Sequence, residues 1–222
     1  MQPYKLFSSL LLACCLLFVA HAQQDAPSRE DLTVSYSILV KGKRSNTGIG
    51  ETYNGGTKTL FVSNGVVRLR QISMMRMHDI FILPPGNPER KVAIVKESGK
   101  SKYKTYLDTA QWRKFNAKYE RATCELSEEY TTIIGYACHK AIVKLTDGRT
   151  ITVFYTTRLP HADAAMAEPA FASVPGLVLK YEYKYKKNSI IYTATSVSRQ
   201  AIDINILKVP GKGYEEKKWT GK

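Results

Sequence analysis

The sequence predicts a mainly β protein: a single curved antiparallel sheet, or open half-barrel, of about eleven strands with one or two short helices. Apolar and polar residues alternate with a period of two through most of the chain, which is typical of a sheet with one covered face. Turn-forming dipeptides such as Asn64-Gly65 separate the alternating runs. Helical periodicity is nearly absent, and we find no internal repeat.

The alternating runs define the strands in order. A first strand covers residues 32–40, and a polar turn over residues 41–46 ends it. Four hairpins are predicted: residues 57–63 with 66–72, 92–96 with 102–107, 137–145 with 150–156, and 177–185 with 189–198. In the last hairpin Leu177, Leu179, Tyr181 and Tyr183 share one face, while charged residues occupy much of the other. This aromatic face suits a packed core or the wall of a lipid cavity.

Two segments interrupt the β pattern. Residues 109–119 form the one candidate helix, because Trp112, Phe115 and Tyr119 recur at three- and four-residue spacing. Residues 159–175 contain three prolines and many alanines, which predicts a long connection with at most one helical turn. Long loops in compact domains often carry function.

The first 22 residues have the layout of a cleaved export signal: Lys5, an apolar run over residues 6–19, and Ala20-His21-Ala22. We therefore expect a single β domain over residues 23–210, a flexible basic tail over residues 211–222, and a location in the periplasm or at the periphery of the outer membrane. An alternative is lipoprotein processing at Cys14, because residues 11–14 read Leu-Leu-Ala-Cys. That cut would leave an apolar stretch exposed, whereas cleavage after Ala22 leaves a polar start.

The chain is strongly basic, with a formal net charge of +14, and loss of Lys5 with the signal leaves +13. Basic chains favour polyanions. Export argues against nucleic acid, so the expected partners are an anionic envelope surface or an envelope protein. The alternative interpretation is a surface whose charge serves only solubility.

Two cysteines remain after signal removal, Cys124 and Cys138. In an oxidising compartment an even number favours a disulfide, which could add about 3 kcal/mol across this short loop. The alternative is a pair of buried free thiols. The histidines are scattered, so we predict no metal site and no cofactor. His78-Asp79 reads as a surface pair, and no nucleophile with a base or paired carboxylates is visible, so we do not expect an enzyme.

Three stretches resemble the GLPGLI family of exported Bacteroidota proteins of unknown function. They are IIGYACHKA at residues 133–141, VFYTTRLP at 153–160 and VPGLVL at 174–179. Residues 207–214, LKVPGKGY, are similar to the ending of such proteins. The doubled glycine expected before Pro175 is absent, which is compatible with a sister family. The resemblance implies an open, curved sheet like that of the periplasmic lipoprotein carriers, with an apolar cavity that can hold acyl chains.

Together these features predict an envelope protein that binds or carries a lipid, a lipopeptide or another amphipathic ligand. The alternative is a structural or interaction protein with a filled core and a basic surface that binds envelope partners. The ligand is expected beneath the loop over residues 171–174, against the aromatic face. The candidate ligand-binding residues are Tyr155, Phe171, Val174, Leu177, Tyr181 and Tyr183.

Overall fold

A computed structural model describes residues 31–42, 52–74, 76–86, 89–185 and 187–221. The predicted export signal lies outside these residues. Within them the chain forms one twelve-stranded sheet that does not close on itself, which confirms the predicted mainly β, open-sheet fold. None of the helices in the described ranges has the length and apolar character that crossing a bilayer requires.

Most strands that are consecutive in the chain are antiparallel neighbours in the sheet. The strands are β1 Leu32–Gly42, β2 Thr57–Ser63, β3 Val66–Ser73, β4 Arg76–Ile82, β5 Val92–Ser98, β6 Ser101–Leu107, β7 Thr123–Ile133, β8 Tyr136–Lys144, β9 Thr150–Thr156, β10 Leu177–Tyr185, β11 Asn188–Ser198 and β12 Glu215–Glu216. The helices are α1 Thr109–Phe115 and α2 Ala162–Ala167. The sheet order is β12-β6-β5-β4-β3-β2-β1-β11-β10-β9-β8-β7, with β12 parallel to β6.

The predicted hairpins are confirmed. Asn64 and Gly65 have φ angles of 49° and 77°, and Ser63 pairs with Val66 across them. Positive φ at both central residues is what a tight two-residue turn requires, and Asn-Gly adopts it at low cost. The other three hairpins also pair as predicted, so the turn chemistry sets most of the sheet order.

The two irregular segments differ from their predictions in opposite ways. Residues 109–119 are less helical than predicted, and residues 159–175 are more helical. A capping box starts α1, because Asp108 accepts from the backbone N–H of Gln111 and the Gln111 side chain accepts from that of Asp108. The helix ends at Phe115, and a short 3-10 turn follows at Ala117–Tyr119. The proline-rich loop contains α2 and a second 3-10 turn, Pro169–Phe171, rather than one turn at most.

The sheet curls around its main core. Lys58 on β2 and Tyr181 on β10 are separated by two strands, yet the Lys58 ammonium lies 3.3 Å from the Tyr181 hydroxyl. The Tyr36 hydroxyl likewise donates to the carbonyl of Val178 on β10 at 2.8 Å. Loop residues of the α2 region pack against β2, β3 and β4, so this loop lies inside the curve. The concave face therefore holds both the core and the loop.

A smaller core covers part of the convex face. Phe81, Ala93 and Val95 are fully buried there beneath Val209 and Tyr214 of the C-terminal segment, which we define as residues 203–221. The same segment pairs Glu215–Glu216 with β6 as β12. Part of residues 211–222, the segment predicted to be a flexible basic tail, packs on the sheet, because Tyr214 contributes apolar contact and Glu215–Glu216 pair with β6.

Candidate ligand-binding site

The connection between β6 and β7 covers the open side of the half-barrel. These two strands lie at opposite ends of the sheet, apart from the short β12, so the chain must cross from one end to the other. It crosses with α1 and the 3-10 turn after it. Trp112 of α1 packs against the main core. A space is left between α1 and the concave face.

This space is a cavity of about 660 Å³. Its wall is rich in aromatic residues from four parts of the fold: α1 with the 3-10 turn after it, the α2 loop, strands β10 and β11, and the C-terminal segment. The aromatic lining residues are Trp112, Phe115, Tyr119, Phe171, Tyr181, Tyr183, Tyr192 and Trp219. Leu69, Ile80, Leu145 and Ile151 add aliphatic surface. A volume of this size is typical of small-molecule sites.

Tyrosine and phenylalanine rings form a continuous stack along one wall. The rings of Tyr181 and Tyr192 are parallel with centroids 4.3 Å apart, and Phe171 meets Tyr181 edge-on at 4.9 Å. The Tyr192 hydroxyl donates to Gln71 on β3 at 3.3 Å. Such pairs are worth about 0.5 to 1.5 kcal/mol beyond their buried area, so the contacts between these rings help to stabilise this wall.

Behind the stack lies a buried ion pair. Lys58 is only 1% exposed, and its ammonium group donates to both carboxylate oxygens of Glu168 at 2.7 Å. It also lies 4.3 Å from the centre of the Tyr36 ring and 4.7 Å from that of Tyr181. Burial lowers the pKa of Lys58, and the adjacent Glu168 carboxylate opposes that shift. Since Glu168 follows α2 directly, the pair fastens the loop to the concave face.

Burial also keeps the surrounding tyrosines neutral. It raises the pKa of Tyr36, Tyr181 and Tyr192, and the Glu168 carboxylate adds to the shift. Neutral phenol rings can serve both as cation–π partners of Lys58 and as apolar wall. The site therefore offers an apolar surface with one compensated charge pair below it.

The exposed part of the lining is basic. Lys114, Lys118, Arg149 and Lys184 all contribute to the cavity lining and are exposed, whereas Glu168 is its single acidic residue. Arg149 pairs with the nearby Asp147. The aromatic wall and the basic rim together make the cavity amphipathic.

The structure places three of the six candidate ligand-binding residues in this cavity: Phe171, Tyr181 and Tyr183. Tyr155 and Val174 are buried in the core and do not line it. Leu177 borders only a second pocket of about 20 Å³, too small for a lipid. The register explains the difference for Tyr155, which pairs with His139 beyond the part of β9 that faces the cavity.

The expected disulfide between Cys124 and Cys138 is not formed, and both residues are free thiols. Cys124 pairs with Val143 of β8, five residues along that strand from Cys138. At about 3.3 Å per residue this places the two Cα positions about 16 Å apart. A disulfide needs a Cα separation below about 7 Å. Burial raises the pKa of both thiols, which makes them poor nucleophiles.

Several site residues were missed by the sequence analysis: Lys58, Glu168, Trp112 and Trp219. Lys58 carried a usable signal, because it is in phase with Leu60 and Val62 on the apolar face of β2. A charged residue at such a position indicates a buried partner. Glu168 gave no such signal, since it lies in a loop with no periodicity.

The interpretation of His78-Asp79 as a surface pair was wrong. The two residues alternate across β4, so His78 faces a polar pocket on the concave side and Asp79 is fully buried on the convex side. Asp79 is held there by Arg68 and Arg70 of β3. Arg68 also donates to the carbonyl of Ile206 at 2.6 Å, which links the pair to the C-terminal segment.

His78 makes stability depend on pH. Burial, helped by Lys96, lowers its pKa from 6.5 to about 4. The unfolded chain therefore binds a proton more readily between pH 6.5 and 4, so the stability that His78 contributes is present above pH 6.5 and is lost as the pH falls. We expect wild type to lose about 2 to 3 kcal/mol more than His78→Gln between pH 7 and pH 4.5. Urea unfolding at both pH values measures this, and equal losses would contradict it.

Comparison with known proteins shows only distant similarity to solved structures. No family model matches the chain, and no curated protein matches it, so the GLPGLI resemblance rests on its motifs alone. The chain is 18% identical to PNGF-II over 86% of its length, with a TM-score of 0.48. For MucB the values are 12%, 83% and 0.42. For a LolA-superfamily protein from Nitrosomonas europaea they are 7%, 82% and 0.26.

The share of each matched structure that this chain covers differs from one structure to the next. This chain spans 32% of the PNGF-II chain and 59% of MucB, but 91% of the LolA-superfamily protein.

Proposed function

We propose that this protein is an exported envelope protein that binds or carries an amphipathic ligand, such as a lipid or lipopeptide, without transforming it. The observation that carries the proposal is the cavity of about 660 Å³ between α1 and the concave face. A protein with a filled core has no need of such a space. The cavity therefore favours ligand binding over a purely structural role.

The lining supports an apolar ligand body. Each square ångström of apolar surface removed from water contributes about 25 cal/mol, so an acyl chain against eight aromatic side chains gains substantial free energy. The rings are already stacked on one another, so little further ordering is needed on binding. The export signal predicted at residues 1–22 supports a place of action outside the cytoplasm.

The direct test is native mass spectrometry, with lipid extraction, of mature protein purified gently from its own envelope. We expect a defined co-purifying amphiphile that is absent after organic extraction. A clean ligand-free mass, together with no binding of added palmitoyl lipids, would contradict the proposal.

The chain supplies its own optical probe. Both of its tryptophans, Trp112 and Trp219, line the cavity. A ligand that enters should therefore change most of the tryptophan emission, and a titration gives the dissociation constant.

We expect Phe115→Ser to weaken this binding about tenfold, because Phe115 lines the cavity and stacks on Trp112 with centroids 5.5 Å apart. Phe115 is partly exposed, so the variant should fold. The control is Leu126→Ser, a more exposed apolar position on β7 that lies outside the cavity, with 64% of the residue exposed against 36% for Phe115. Equal affinities for Phe115→Ser and Leu126→Ser would place the ligand elsewhere.

A further inference from the structure

The cavity rim holds positive charge that the chain does not neutralise. Of its four cations, Arg149 pairs with Asp147, and Lys118 interacts with that same carboxylate. Glu168, the acid of the lining, is already bound to Lys58. In the described part of the chain this leaves Lys114 and Lys184 without an ion-pair partner.

The indole N–H of Trp219 is a second unsatisfied group at the same cavity. Its Nε1 atom is buried and has no hydrogen-bond acceptor among the described residues. The Trp219 ring lines the cavity, with the Lys114 ammonium 5.7 Å from its centre. A buried donor without an acceptor is costly, so an acceptor atom brought by a ligand would remove that cost.

Resting on the proposed function, we propose that the polar end of the ligand is an anion, a carboxylate or a phosphate ester. It is held at the cavity rim by Lys114, Lys184 and the N–H of Trp219. Hydrogen bonds between a charged acceptor and such donors are about twice as strong as neutral ones. The apolar chain of the ligand then lies inward, against Phe171 and Tyr183.

This arrangement distinguishes anionic from neutral amphiphiles that share the same acyl chain. The neutral ligand gains only the apolar contacts, whereas the anionic ligand also meets the two lysines. Because these lysines are exposed, the preference should decrease as ionic strength rises.

The test compares palmitoyl lysophosphatidate with monopalmitoylglycerol, which differ only in the phosphate, by tryptophan fluorescence of the mature protein. We expect lysophosphatidate to bind about tenfold more tightly at low salt. Equal affinities would overturn this inference and leave the proposed function intact. Binding of neither lipid would overturn both. Displacement of lysophosphatidate by millimolar inorganic phosphate would assign the rim to a free anion and overturn the assignment to a lipid head group.

Variants identify the residues that cause the preference for the anionic lipid. Lys114→Glu with Lys184→Glu should remove the preference for lysophosphatidate over monopalmitoylglycerol, while Lys100→Glu with Lys212→Glu, exposed lysines outside the cavity, should retain it. Trp219→Phe keeps an aromatic ring and removes the N–H, so we expect about threefold weaker binding of lysophosphatidate alone, with Trp112 as the remaining probe. A preference unchanged by the Lys114 and Lys184 reversals would contradict the proposal.

Discussion

Lys58→Met is expected to lower the free energy of unfolding by about 3 to 5 kcal/mol, because it leaves the Glu168 carboxylate without its counterion in a mostly buried position. Glu168→Leu should cost a similar amount, since Lys58 is 1% exposed and cannot reach water. The double variant removes both charges and should recover to within about 1 kcal/mol of wild type. Urea unfolding of the four proteins at pH 7 forms the complete cycle.

The control is an exposed ion pair on the outer strands. Lys140 on β8 and Glu129 on β7 form one, with side chains 25% and 67% exposed, so Lys140→Met should cost no more than about 1 kcal/mol. Two outcomes would show that the Lys58–Glu168 pair does not hold the α2 loop on the sheet. One is a cost for Lys58→Met as small as that for Lys140→Met. The other is a double variant whose cost equals the sum of the costs of Lys58→Met and Glu168→Leu.

The same pair controls the loop that lines the cavity. Glu168 is the only described acid near Lys58, and it joins α2 to the 3-10 turn that carries Phe171. Loss of the pair should therefore loosen the α2 loop before the sheet unfolds. This links the stability measurement to the site, because Ala167, Glu168 and Phe171 all line the cavity.

The sheet could be predicted from the sequence because its determinants are local. Alternation sets which residues face the core, and Asn64-Gly65 fixes the register of β2 and β3 through its own backbone preference. The position of β12 had no such signal. Its two glutamates pair with β6 between Tyr214 and Trp219, which are partly buried against distant parts of the fold.

The site could be predicted only in part, for a related reason. Tyr181 and Tyr183 follow from the alternation of β10, which identifies an aromatic face. Whether that face meets a cavity depends on the path of α1 and of the α2 loop, and contacts between elements far apart in the chain decide both. For the cysteines, the sequence predicted a contact that the fold does not make. Their spacing suggested a disulfide, but the register of β7 on β8 keeps them apart.

The second large effect is expected at Asp79, on the opposite face of the sheet. Its fully buried carboxylate accepts from the Nε of Arg68 and from that of Arg70, each at 3.1 Å. Burial raises the pKa of Asp79 to about 6, so the measurement belongs at pH 8, where the carboxylate is ionised. Asp79→Leu leaves the buried Arg68 guanidinium without an anion, and we expect a loss of about 3 to 5 kcal/mol in the free energy of unfolding.

The structure also predicts where the damage from Asp79→Leu appears first. Arg68, oriented by Asp79, donates to the carbonyl of Ile206 and so holds the C-terminal segment on the convex face. Hydrogen exchange at residues 203–216 should therefore speed up more than exchange in β10.

Asp147→Leu, which breaks an exposed pair with Arg149, is the matched control and should cost no more than about 1 kcal/mol. If Asp79→Leu and Asp147→Leu unfolded at the same urea concentration, Asp79 would not anchor this face. Since the same segment carries Trp219 to the cavity, loosening it should also weaken ligand binding, which would connect the convex face to the site.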